Sequence, residues 1–224
     1  MSRSSLKRFL EYLVSFFYPA RCPLCDQFSA RCVACSSCKE SLSVLDAPAV
    51  FLVAGFGGLD RCISCFAFDG VVKDAIHRFK YSGELSLRDY FASQLFKRLP
   101  DLPDFDVVVT VPMHKNKIVK RGFNQAALIA ASVARRAGKK FCHGALVRIS
   151  DGASQTQLQR TERIASVKGA FNIDDSAQEN IKNKKVLIID DVTTTGATIC
   201  ECAKVLKKAG AEKIYALTLA RTIA

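Results

Sequence analysis

The sequence predicts an α/β chain, a mostly parallel sheet with helices on both faces, preceded by a small cysteine-rich unit. Three observations carry this. From Phe66 onward, short β-branched runs alternate with segments of helical period, the pattern of βαβ units. Before Phe66, cysteines recur in pairs two apart, which is metal-ligand spacing. Late in the chain, the apolar run Val186–Ile189 leads into Asp190 and Asp191, then into Thr193, Thr194, Thr195, Gly196, Ala197 and Thr198, where a helix begins.

The elements follow in order. Leu6, Phe9, Leu10, Leu13, Phe16 and Phe17 recur at helical spacing, and Pro19 ends that segment. A packed helix is the plainer reading; a membrane-surface or partner helix is the sharper one, given Arg3, Lys7 and Arg8. Phe66–Asp69 reads as a strand, and Val71–Tyr81 and Leu85–Leu99 as helices. Asp106–Val111 is a β-branched strand ending at Pro112, followed by a very basic loop. Gly122–Ala137 reads as an alanine-rich helix, Phe141–Arg148 as a strand and Ser150–Ser166 as a polar loop. Lys185–Asp190 is the central strand and Ala197–Ala209 a helix closed by Gly210. Lys213–Arg221 is the last strand. The expected domains are therefore 1–65, with the N-terminal helix and the cysteines, and 66–224, with the sheet.

Composition bounds the answer. The chain has 224 residues, 49% of them apolar, enough for one ordinary domain and an appendage, and a disordered chain is excluded. A net charge of +12 favours phosphates, nucleic acid or anionic lipid without choosing among them. The longest uncharged run, Ala47–Leu59, has 13 residues and three glycines, too short to span a bilayer. No secretory signal is expected: Phe9–Phe17 carries Glu11, and no small-residue cleavage site follows. Ten cysteines without such a signal imply reduced thiols and a cytoplasmic protein.

Seven of the ten cysteines lie within the first 65 residues. Cys22-x2-Cys25 and Cys35-x2-Cys38 stand nine residues apart. Two such knuckles make a closed, four-thiolate, structural Zn2+ site. Cys32 and the pair Cys62-x2-Cys65 leave alternatives open, either replacement of one pair or a second, weaker site. Cys142, Cys200 and Cys202 have no ligand spacing and read as packing residues.

In an open α/β sheet, ligands sit beyond the carboxyl ends of the strands. A loop of threonine hydroxyls and backbone N–H groups feeding a helix N-terminus cradles a phosphate. Acids repel phosphate, so Asp190 and Asp191 should face sugar hydroxyls or a metal. The pattern asks for a molecule with a phosphate at one end and a polyol beside it. A P-loop ATPase is excluded, since no Gly-x4-Gly-Lys-Ser/Thr occurs. Lys115, Lys117, Lys120 and Arg121 supply cations for a second phosphate group.

The run Lys185–Thr198 resembles the signature of the type I phosphoribosyltransferases. The resemblance implies that Thr193–Thr198 hold the 5-phosphate of phosphoribosyl pyrophosphate (PRPP), with Mg2+, and that Asp190 and Asp191 hold its ribose and act as the catalytic acids. It places Pro112, Met113, His114 and Lys115 on the pyrophosphate. Arg121-Gly-Phe-Asn-Gln125, Ser154–Arg163, Lys168-Gly-Ala-Phe171 and His77–Gly83 are similar to the ComF/GntX family, and that similarity covers nearly the whole chain. It implies a zinc-ribbon region before a phosphoribosyltransferase-like domain, and a role in natural competence on the cytoplasmic side, with single-stranded DNA and a helicase-like protein as partners. Lys80 and Arg121 then stand as basic contacts, and Gln155–Arg163 also resembles the flexible lid of the amidophosphoribosyltransferases, which implies that Gln155, Arg160 and Arg163 close over the pyrophosphate. An amidophosphoribosyltransferase reading fails, because the chain is too short for a glutaminase domain and begins Met1-Ser2-Arg3. The implied reaction is pentosyl transfer to an unspecified acceptor; no general base stands out beyond His77 and His114. The competing expectation is a non-catalytic module for single-stranded DNA or a helicase partner that keeps the PRPP pocket as a sensor, with Phe79, Tyr81 and Phe123 as stacking candidates.

Overall fold

The computed structural model of the chain describes residues 21–29, 33–45, 58–149 and 167–223. The expected N-terminal helix, Cys32, and the 150–166 segment with Gln155, Arg160 and Arg163 lie outside the described residues.

Five parallel strands form the central sheet, in the order β1 (Arg61–Ala67), β7 (Lys213–Arg221), β6 (Lys185–Thr193), β2 (Val107–Thr110) and β3 (Lys140–Phe141). A separate antiparallel pair joins β4 (Leu146–Arg148) to β5 (Phe171–Ile173). The helices are α1 (Ser36–Glu40), α2 (Gly70–Tyr81), α3 (Leu87–Arg98), α4 (Lys115–Arg121), α5 (Gln125–Ala137), α6 (Gln178–Ile181) and α7 (Ala197–Lys208).

The sheet is buried on both faces, as all-parallel sheets are. On one face α2, α3 and α5 cover Val108, Leu187, Ile189 and Leu217. On the other, α6, α7 and the β4–β5 pair cover Val107, Val109, Val186, Ile188 and Ala216. Val186, Leu187, Ile188 and Ile189 are all fully buried, each contributing roughly 1.5–3 kcal/mol. That two-sided burial is why β6 reads as an unbroken apolar run and not as an alternation. Ser64 and Thr218, both fully buried in this sheet, satisfy each other with a 2.7 Å hydroxyl contact between β1 and β7.

Several elements differ from expectation. The first strand begins at Arg61, not Phe66, so the expected boundary at residue 65 falls inside β1. The expected strand Phe141–Arg148 is two strands in two sheets: β3 pairs with β2, and β4 pairs with β5. The basic segment after β2 is a helix, α4, closed by Gly122 at φ 81°. The alanine-rich helix starts at Gln125, because the Asn124 side chain caps it from outside. The central strand is longer than expected and runs through both acids to Thr193.

The cysteine unit packs on the helical face of α2 and α3. Cys22, Leu24, Ala34 and Cys38 share the core of Phe79, Phe91 and Leu95. The segment after α1 runs along the edge of β1, with Ala67 N–H donating to Ser43 O and Leu45 N–H to Cys65 O.

Candidate functional site

The chain leaves β2 through α5 toward one sheet edge and leaves β6 through α7 toward the other. The two connections diverge between neighbouring strands, which opens a crevice beyond their carboxyl ends. β2 stops where Thr110 pairs with Ile189, while β6 continues against β7 alone, Asp190 beside Thr218 and Thr193 beside Arg221. The β2-facing edge of the acidic segment is therefore uncovered.

Side chains alternate along a strand, so the two acids part. Asp191 lies on the face of Leu187 and Ile189, where α2 brings Lys80 Nζ to 3.0 Å from its carboxylate; the two side chains are only 17% and 12% exposed. Asp190 lies on the face of Ile188, toward α7. It is half-buried, and its Oδ1 accepts from the Asp191 N–H at 2.9 Å. Burial, then the Asp191 charge, pushes its carboxyl up to about 8, against the pull of Lys80.

A crevice of about 190 Å³ opens between these parts, lined by Lys80, Pro112, Met113, His114, Arg121, Asp190 and Asp191. These seven sequence-selected residues thus converge from four segments. Lys117, Asn124 and Arg148 join the lining. Of these, Arg148 was missed, because nothing in sequence brings a cation on β4 to the end of β2. Desolvation and the charges of Arg148, Arg121 and Lys80 hold the Lys117 ammonium below its usual range, the mark of crowded cations. Lys115 opens α4. His114 acts as the N-cap of α4, its Nδ1 accepting from Asn116 N–H at 3.1 Å.

The motif Arg121–Gln125 is a joint that shapes this crevice. Arg121 stacks over the Tyr81 ring, 4.8 Å from its centroid, and donates to the Tyr81 hydroxyl. Phe123 packs against Phe79. Asn124 Oδ1 accepts from Ala126 and Ala127 N–H, while its amide donates to Val111 O, tying α5 to the end of β2. Fully buried Gln125 bridges Arg121 and the carbonyl of Lys80. Phe79 is fully buried and so is no stacking surface; Phe123 is half-buried against the core, and Tyr81 is 65% exposed.

The hydroxyl loop stands on the α7 side of the acids. Thr193 is the last residue of β6 and is buried; Thr194 is exposed, and Thr195 and Thr198 are half-buried. Gly196, at φ 77°, is the N-cap of α7 and has no side chain to cap the first turn. Only Thr195 Oγ1 reaches back among the described residues, accepting from Ala197 N–H at 3.3 Å. Gly196 and Ala197 put no large side chain over the first turn of α7, and both are buried.

The second centre is the cysteine unit. The sulfurs of Cys22, Cys25, Cys35 and Cys38 all lie within 4.8 Å of one another, and Cys25 and Cys35 are 3.8 Å apart. Ligands of a tetrahedral zinc are separated by about 3.8 Å, so the donor set fits. Backbone N–H groups point at the sulfurs, Cys35 N–H at Cys22 Sγ and Cys38 N–H at Cys35 Sγ. Burial opposes ionisation of Cys22, yet the N–H groups around it outweigh that and lower its thiol to about 6. Burial and the neighbouring thiols push Cys38 up. Four such thiols can hold a structural metal. Cys62 and Cys65 take no part, being buried in β1. Cys142, Cys200 and Cys202 are buried packing residues.

No helix among the described residues is long and apolar enough to cross a membrane. The phosphoribosyl transferase domain model matches residues 124–224. Competence protein ComFC of Streptococcus pneumoniae is 29% identical over 89% of this chain and 80% of its own. The DNA utilization protein YhgH of Salmonella typhimurium is 31% identical over 73% of each chain. Adenine phosphoribosyltransferase from Thermoanaerobacter pseudethanolicus superposes loosely, with a TM-score of 0.39 and 18% identity over 63% of this chain and 83% of its own. With its parallel sheet, its four-cysteine cluster, the domain match and its similarity to ComFC and YhgH, the chain belongs to the ComF/GntX family and has a type I phosphoribosyltransferase-like fold.

Proposed function

We propose that the crevice binds PRPP with Mg2+ and that the protein acts in DNA uptake on the cytoplasmic side. The observation that carries this is the convergence of Lys80, Pro112–His114, Arg121, Asp190 and Asp191 on one crevice at the point where the strand connections diverge. The names of its relatives, a competence protein and a DNA utilization protein, support the cellular role.

In this reading the loop Thr193–Thr198 and the start of α7 take the 5-phosphate through N–H groups and hydroxyls. Asp190 and Asp191 take the ribose hydroxyls. Lys80, Lys117, Arg121 and Arg148 face the pyrophosphate, with the Pro112–Lys115 turn beneath it, and Gln155, Arg160 and Arg163 belong to a lid over it. Their charge is placed where negative charge grows as pyrophosphate leaves, so it stabilises the transition state more than the ground state. Asp191 favours the positive charge growing on the ribose. Asp190 and Asp191 beside a polar crevice suit a hydrated Mg2+, which would displace the proton that Asp190 keeps in the ligand-free protein and would neutralise the pyrophosphate. Zn2+ would be held by Cys22, Cys25, Cys35 and Cys38 and closes the N-terminal unit.

Thermal unfolding tests the two-ended site. Mg-PRPP at about 100 times its Kd should stabilise by about 2.7 kcal/mol, raising Tm by about 5–10 °C. Ribose 5-phosphate and pyrophosphate should each give a smaller rise. If pyrophosphate alone gives the full rise, the crevice is a simple anion site.

A second reading has one observation in its favour. Tyr81 is 65% exposed at the rim, beneath the Arg121 guanidinium, in a chain of net charge +12. An exposed ring among cations suits single-stranded DNA, with PRPP as a signal and a helicase-like protein as the recipient. An oligonucleotide affinity that falls steeply with salt and drops in Tyr81→Ala supports it; salt-independent binding or none excludes it.

A further inference from the structure

The last turn of α2 lies between the two centres and touches both. Residues 78 and 80 are about 200° apart around a helix, so their side chains leave in opposite directions. Lys80 reaches Asp191 at 3.0 Å. Arg78 reaches the first cysteine knuckle: its Nη1 donates to Leu24 O at 2.9 Å and its Nη2 to Pro23 O at 2.7 Å. These are the two residues between Cys22 and Cys25. Its Nε donates to Glu84 Oε2 at 2.8 Å, so all three guanidinium nitrogens are used. Gly83, at φ 66°, turns the chain so that Glu84 returns to Arg78. Phe79 between them is fully buried against Phe91 and Phe123. Gln125 holds the Lys80 carbonyl from the far side.

We infer that Arg78 is a positioning residue joining the two centres: metal on Cys22, Cys25, Cys35 and Cys38 fixes the knuckle, the knuckle fixes Arg78, and the last turn of α2 sets Lys80 in the anion crevice. The arginine fork matches two successive carbonyls in a way an ammonium cannot. Asp26 N–H donates to Cys22 O and Cys22 N–H to Gln27 O, which closes the turn presenting Pro23 O and Leu24 O; a metal shared by the four thiols would tether that turn to the second knuckle, and without one the turn can shift as a unit. Linkage is reciprocal, so ligand in the crevice should also hold the metal. The inference rests on the PRPP reading for the identity of that ligand.

The test uses the full-length zinc-loaded protein and the variants Arg78→Met and Arg78→Lys. Zinc release to a chromogenic chelator is followed with and without saturating Mg-PRPP, and binding is measured separately by calorimetry. In wild type, Mg-PRPP should slow release about fivefold or more. Arg78→Met should load zinc but lose most of that slowing, and Arg78→Lys should restore only part of it. Binding without any slowing in wild type overturns the inference and leaves the PRPP reading intact. If Mg-PRPP does not bind, the PRPP reading fails, and hydrogen exchange decides the inference instead. Amides of Phe79–Ser82 should then exchange faster after zinc is stripped from wild type, with little change in Arg78→Met. Equal exchange before and after stripping overturns it.

Discussion

Two cysteine pairs with the same spacing have opposite fates. Cys22 and Cys25 flank Pro23 and Leu24 in a turn that Asp26 closes at φ 62°, so both sulfurs face the second knuckle. Cys62 and Cys65 lie on β1, where a step of three residues sends side chains to opposite faces. Cys62 belongs to the core under α7 and Cys65 to the core under α3. Burial pushes Cys65 up to about 12 and also raises Cys62, so both stay neutral thiols. Cys-x2-Cys is a ligand pair only when the backbone between the thiols turns.

The largest effect expected from this contrast is at a ligand. Cys35→Ser should lose the bound zinc and lower Tm by more than about 10 °C, because metal binding is part of the folding free energy. Metal analysis and calorimetry on the same preparation would show it. Cys62→Ala should keep its zinc and cost only about 1 kcal/mol, roughly 2–4 °C. Equal zinc loss in the two variants would break the contrast.

Asp190 and Asp191 repeat the lesson within one strand. Asp191→Asn strands the nearly buried Lys80 ammonium, at a cost of about 2–3 kcal/mol. The double variant Lys80→Met/Asp191→Leu should recover most of it, measured by urea unfolding. Asp190→Asn should behave in the other sense. In wild type the folded protein keeps a proton on Asp190 that the unfolded chain has released, so this group loses stability as pH rises from 3.8 to about 8. Asp190→Asn should flatten that slope and, near pH 8, raise the Tm of the ligand-free protein by on the order of 5 °C. A still steeper slope in the variant would contradict the assignment. The smallest effect is at the rim, where Tyr81→Ala removes an exposed cation–π contact worth about 0.5–1 kcal/mol.

What sequence reveals follows from what is local. The buried run of β6, the glycine that closes α7 and the knuckle spacing are each complete within a dozen residues, so the parallel sheet and the four-cysteine site were legible. The strand and helix limits that moved are set from elsewhere. β6 extends through its acids because β7 pairs with it as far as Arg221. The residues at 140–148 split between two sheets because β2 and β5 claim different parts of them. Lys80 was legible only through a resemblance, and Arg148 not at all, because their places depend on how α2 and β4 pack. Arg78, which lies in the same motif as Lys80, gives no sign in sequence that it serves the cysteine unit.

The PRPP crevice is most directly tested by calorimetric titration of Mg-PRPP into the zinc-loaded protein and into Asp190→Ala/Asp191→Ala. The account predicts saturable binding in wild type and its loss in a variant that remains folded and zinc-loaded. Absence of binding in wild type, or equal binding in both, would contradict it.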